Sequence, residues 1–82
     1  MKYIINLNSI QRVKDFTNEI LRIDSDALIK SRNGRYSVDA RSIMGIFSLD
    51  LLQPLILEID GEENEFVEKL KDMDIIVDTL MD

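Results

Sequence analysis

At 82 residues, with 45% apolar and 32% charged side chains, one proline and three glycines, the chain has the make-up of one folded domain spanning 1–82, not of a disordered segment. A formal charge of −6, with ten Lys and Arg scattered along the chain, argues against nucleic acid and anionic membrane as partners. The absence of histidine and cysteine removes imidazole and thiolate chemistry and any disulfide framework.

A domain this small buries only about 60–65% of the surface its unfolded form exposes, so each large apolar residue counts toward the core. Met1 to Asn6 lacks the apolar core of a signal peptide, and no apolar run is long enough to cross a bilayer. A reducing, cytoplasmic setting is the expectation.

Residues 2–7 alternate weakly, with Tyr3, Ile5 and Leu7 on one face, and read as a strand. From residue 9 the period changes. Ile10, Val13, Phe16, Ile20 and Leu21 fall on one helical stripe, with Arg12, Lys14, Asp15, Asn18, Glu19 and Arg22 pointing away, and Asn8 or Ser9 is placed to cap the helix. Asp24-Ser25-Asp26 then leads into a second strand in which Ala27 and Ile29 share a face.

Asn33-Gly34 is a strong hairpin signal, because both residues tolerate the positive φ of a two-residue turn. A third strand over 35–40 follows, with Tyr36, Val38 and Ala40 inward. Ser42 sits at the N-cap of a short helix holding Ile43, Met44, Ile46, Phe47 and Leu49, in which Gly45 costs about 1 kcal/mol relative to alanine.

Pro54 stops helix continuation, Leu55, Leu57 and Ile59 alternate as a fourth strand, and Asp60-Gly61 reads as a turn. Glu62, Glu63 and Glu65 suit the first turn of a last helix with Phe66, Val67 and Leu70 inward. Beyond Lys71 two readings compete: Ile75-Ile76-Val77 favours a strand, whereas Met73, Val77 and Leu80 would extend the helix. Four amphipathic strands with helices on one face predict an α+β open sandwich.

No catalytic residues are assigned. A nucleophile needs a base, and lysine or carboxylate would serve only if strongly perturbed by burial. No cofactor motif is present: the glycines form neither GxGxxG nor a Walker loop. The acidic clusters Asp24-Ser25-Asp26 and Asp60 to Glu65 lack calcium-loop spacing and read as a turn and a helix start, so no metal is expected.

One segment is more specific. Arg41-Ser42-Ile43-Met44-Gly45, continued by Ser48-Leu49, resembles the K-S-I-M-G-x-x-S-L pattern of the HPr family, the small phosphocarrier proteins of the bacterial sugar phosphotransferase system, with Arg41 in place of lysine. The element order agrees over the whole chain. The Asn33-Gly34 hairpin is about one residue longer on each side than in low-GC Gram-positive members. The resemblance implies an HPr-like open-faced β-sandwich, a four-stranded antiparallel sheet covered on one face by three helices.

In that family the first helix starts at a phosphate-accepting histidine. An ungapped match puts Ser9 there, and a match to the histidine-free Crh relatives puts Gln11 there, so phosphohistidine transfer is not implied for this chain. The resemblance also makes Ser42 the candidate for phosphorylation by HPr kinase/phosphorylase, against the plainer role of a helix cap. It further implies that Ile43, Met44 and Phe47 form a docking patch, whereas Ile46 and Leu49 are read as core. Partners would be the kinase/phosphorylase, a transcriptional regulator or a phosphotransferase-system component. The competing expectation is a structural or oligomerisation module that reuses the fold.

Overall fold

The structure, a computed structural model, describes residues 1–80. Its elements in chain order are β1 (Lys2–Ile5), α1 (Ile10–Ile20), β2 (Ala27–Ser31), β3 (Ser37–Asp39), α2 (Ile43–Phe47), β4 (Leu55–Ile59), α3 (Asn64–Asp72) and β5 (Ile76–Leu80). The strands form one antiparallel sheet in the order β3-β2-β4-β1-β5, so the expected four-stranded sheet is corrected to five.

Alternation along the strands divides the sheet into two faces. Tyr3 lies opposite Leu57, which lies opposite Ile29, which lies opposite Val38, and all four point toward the helices. Ile5, Ala27, Leu55 and Ile59 complete that face and meet Val13, Phe16 and Ile20 of α1, Ile46 of α2, and Phe66, Val67 and Leu70 of α3 in one core. Phe16 and Phe66 meet edge to face with ring centroids 6.4 Å apart, which joins α1 to α3. The other face, with Lys2, Ile4, Leu28, Lys30, Ile56 and Glu58, carries no helix. There Lys30 Nζ lies 2.7 Å from Glu58 Oε2, and that hydrogen bond holds the Glu58 carboxyl below its usual pKa.

The fifth strand has a local cause. Asp74 adopts the left-handed conformation (φ 58°), its N–H donates to Lys71 O at 3.1 Å, and the Ile75 N–H donates to Leu70 O at 2.9 Å. Those two bonds are a Schellman stop, and its usual apolar contact is present because Leu70 and Ile75 are both fully buried. The chain therefore turns out of α3 and runs back along β1, with the Asn6 N–H donating to Ile75 O at 2.8 Å. A register shift between Ile4 and Ile5 leaves Val77 outside the ladder as an exposed bulge. An aspartate pays for positive φ where glycine would not, so Asp74→Gly should stabilise the protein by about 0.5–1 kcal/mol in urea unfolding.

Three further readings need correction. In α1, Ile10 and Leu21 are exposed and Glu19 is buried at 7% exposure, because the stripe narrows to Val13, Phe16 and Ile20. Glu19 tolerates burial because Lys69 Nζ (3.6 Å) and Arg22 Nε (3.8 Å) flank its carboxylate. Tyr36 is exposed, since β3 begins only at Ser37. The hairpin is not a two-residue turn: Gly34 N–H donates to Ser31 O (2.9 Å) and Ser31 N–H to Tyr36 O (2.9 Å), leaving a four-residue loop in which Gly34 alone takes positive φ.

Candidate functional site

The short helix α2 is set up by the residues just before it. The Arg41 N–H donates to Asp39 Oδ1 (2.8 Å), and the Arg41 guanidinium donates through Nη2 to Ile23 O (2.7 Å) and Ser25 O (3.0 Å). One side chain thereby ties the approach to α2 onto the α1–β2 connection, a task suited to a planar donor fork. Ser42 then stands in extended backbone (φ −89°, ψ 102°), and its Oγ accepts the Gly45 N–H at 3.0 Å. The Ile46 N–H reaches Ser42 O at 2.9 Å, and the helix closes at Ser48.

Five residues cannot bury an all-round apolar surface. Ile46 is fully buried and Leu49 nearly so, which leaves Ile43, Met44 and Phe47 outside, at 52%, 84% and 54% exposure. Gly45 sits where α2 comes closest to β3: a Cβ there would lie 3.0 Å from Val38 Cβ and 3.0 Å from the capping Ser42 Oγ. Helix propensity alone would favour Gly45→Ala by about 1 kcal/mol. Overpacking and strain on the cap oppose it, so the variant should instead lose about 1–2 kcal/mol of unfolding free energy.

The start of α1 lies beside the end of α2. Ser9 is the N-cap of α1 (φ −146°, ψ 155°), half-buried, with Oγ accepting the Arg12 N–H at 3.1 Å. Ser9 and Ile10 share a cleft of about 170 Å³ with Leu7, Val13, Phe47 and Leu51. Gln11 is exposed and does not line that cleft, its Nε2 donating instead to Asp15 Oδ1 at 2.9 Å. Arg12 Nη1 donates to Asn8 Oδ1 at 3.3 Å, while its buried Nε finds no partner.

The structure thus brings Ser9 together with Phe47 and leaves Gln11 apart. Two members of this surface were not foreseen, Ile10 and Leu51. Ile10 fits the helical period of the core stripe, but as the first residue of α1 it is exposed and lines this cleft. Leu51 lies in a connection with no period to read.

Chemically the surface is apolar with two capping hydroxyls, and among the described residues no base is hydrogen-bonded to either. Among the described residues no group of three or more His, Cys, Asp or Glu could hold a metal ion. The acidic clusters serve the fold: Ser25 Oγ donates to Glu63 Oε1 at 2.8 Å, joining the loop before β2 to the start of α3. No helix among the described residues is long and apolar enough to cross a membrane.

No family model and no curated protein matches the chain. Solved structures do. HPr-C-His from Thermoanaerobacter tengcongensis is 24% identical, with 90% of each chain covered and a TM-score of 0.71. The phosphocarrier protein HPr from Bacillus anthracis str. Ames is 25% identical, with 85% of this chain and 88% of that one covered and a TM-score of 0.60. The chain therefore has an HPr-like fold, here with five strands in its sheet.

Proposed function

We propose that this protein is a non-catalytic regulatory or adaptor protein of a bacterial phosphotransferase system, working in the cytoplasm and recognised through α2. The observation that carries this reading is the apolar surface formed by Ile43, Met44 and Phe47 beside Ile10, left open in an HPr-like fold that has no histidine to carry phosphate. With Ser9 or Gln11 where the family's acceptor stands, the surface can still dock partners but has no phosphoramidate to pass on.

Ser42 is the switch in this reading. Its hydroxyl is half-exposed at the edge of the apolar patch, and a phosphate there would meet the Gly45 N–H that Oγ now accepts. The added charge would favour partners with a basic rim and repel acidic ones.

Purified HPr kinase/phosphorylase with ATP should place one phosphate on Ser42, seen by mass spectrometry and lost in Ser42→Ala. Enzyme I with phosphoenolpyruvate should leave the protein unlabelled. The reading fails if Ser42 stays unmodified and neither the kinase, nor Enzyme I, nor a regulator perturbs the amides of residues 43–47 in an NMR titration. A chain that self-associates through those same amides would instead be a structural module reusing the fold.

A further inference from the structure

We infer that the groove between the β2–β3 hairpin and the α2–β4 connection binds an acidic extended segment of a partner protein, whose carboxylates meet Arg32 and Arg35 and whose body lies against Tyr36. The groove has a volume of about 480 Å³ and is lined by Arg32, Tyr36, Ser48, Gln53 and Pro54 among others. It is distinct from the α2 surface. Phe47 and Leu51 line the cleft beside α1, whereas Ser48, Gln53 and Pro54 line this one, so the 48–54 segment has a binding face on either side.

Charge selects the occupant. The hairpin carries Lys30, Arg32 and Arg35 over residues 30–36 with no acid among them, in a chain whose net charge is −6. Asp24, Asp26, Asp60, Glu62 and Glu63 gather at the opposite end of β2 and β4, where the Asp60 N–H reaches Asp26 O at 2.9 Å. The molecule is 28 Å along its longest axis. At physiological salt a charge is screened over about 8 Å, so the hairpin presents a local positive field that the acidic end does not cancel.

Two of the three hairpin cations, Arg32 and Arg35, are also uncommitted. Lys30 pairs with Glu58, Arg22 and Lys69 flank Glu19, Lys71 pairs with Glu68, and Arg41 is spent on two carbonyls. Among the described residues no carboxylate pairs with Arg32 or Arg35, and both are exposed. The one acid on the groove, Asp50, accepts the Leu52 N–H at 3.2 Å within its own turn.

The site is also built in advance. Asn33 Oδ1 accepts from Ser31 Oγ (2.7 Å) and from the Arg35 N–H (2.9 Å), and Ser31 Oγ accepts the Tyr36 N–H (3.1 Å). These bonds fix the backbone of the loop that carries both arginines up to Tyr36, whose ring is 63% exposed and lines the groove. A loop backbone held in advance, with two unpaired guanidinium groups and an exposed aromatic ring, suits a short acidic peptide, because less of the ordering cost falls on the site.

The test is an NMR titration of the whole protein with a capped ten-residue peptide of alternating glutamate and leucine, against a lysine–leucine control. The acidic peptide should shift the amides of residues 32–36 and 48–53 saturably, with affinity falling at least about fivefold between about 50 and 300 mM salt. The double variant Arg32→Ser, Arg35→Ser should bind at least about tenfold more weakly with an unchanged circular dichroism spectrum, since both side chains are exposed. Met44→Asp should bind the peptide as the parent does, so this result stands or falls apart from the docking role of α2. Equal binding by the double variant, equal shifts with the lysine peptide, shifts centred on residues 43–47, or tighter binding of oligothymidylate at the same amides would each overturn the proposal.

Discussion

A chain ended after Asp74 should fail to fold cooperatively at 25 °C, as read by circular dichroism and urea titration. Ile75 and Ile76 are 0% and 5% exposed, and full burial of each such side chain contributes about 1.5–3 kcal/mol. Their removal would take about 3–6 kcal/mol from a domain whose whole stability is of the order of 5–10 kcal/mol. The losses continue beyond the side chains. Leu70 would lose its Schellman partner, the Asn6 N–H would lose its acceptor, and β1 would become an open edge. Val77→Ser is the control: Val77 stands outside the ladder and is exposed, so its replacement should cost no more than about 0.5 kcal/mol. A truncated chain with a sharp unfolding transition would mean that four strands suffice.

On the docking role proposed for α2, Met44→Asp should weaken capture of a protein partner by at least about thirtyfold, the loss that marks a central contact of about 2 kcal/mol. Met44 is the most exposed apolar residue of α2, and a carboxylate there would have to be desolvated in any apolar interface. The same exposure spares the fold, so the melting midpoint should move by no more than about 4 °C. Ile46→Ala supplies the contrast. Ile46 is fully buried beneath the same helix, and its truncation should cost about 2–5 kcal/mol of stability and loosen α2 itself. If Met44→Asp bound the partner as the parent does, the apolar face of α2 would not be the docking surface. Equal loss of stability in the two variants would mean instead that Met44 acts through folding.

How far the sequence could be read depended on the range of each determinant. The Ser42 cap was legible because a hydroxyl and the N–H three residues on lie within one helical turn. Ile46 and Leu49 are buried as expected, but their separation from Met44 and Phe47 rested on the family resemblance, because helical spacing alone reads all of these apolar residues as core. Glu19 was not legible: its burial depends on Lys69, fifty residues away, and a charged residue at the edge of a stripe reads as solvent-facing. Ile10 and Leu21 failed in the opposite sense: they are the first residue and the C-cap of α1, and both are exposed although Val13, Phe16 and Ile20 of the same stripe are buried. The last strand turned on Asp74, whose left-handed backbone ended α3 where Met73, Val77 and Leu80 still kept helical spacing. The apolar cleft beside Ser9 needed Leu51 from a connection with no pattern at all.

The position of β1 has a kinetic consequence. It lies between β4 and β5, so the strand that begins the chain completes its hydrogen bonding only when residues more than seventy positions later arrive, Lys2 against Leu80 and Ile5 against Ile76. Closing so long a loop is entropically costly, and contacts of this separation slow folding. The β1–β5 seam should therefore be the last part of the sheet to zip, and by the same reasoning the first to open. Amide exchange should show Asp78 and Leu80 losing protection well before Leu57, with the centre of the sheet still closed behind them.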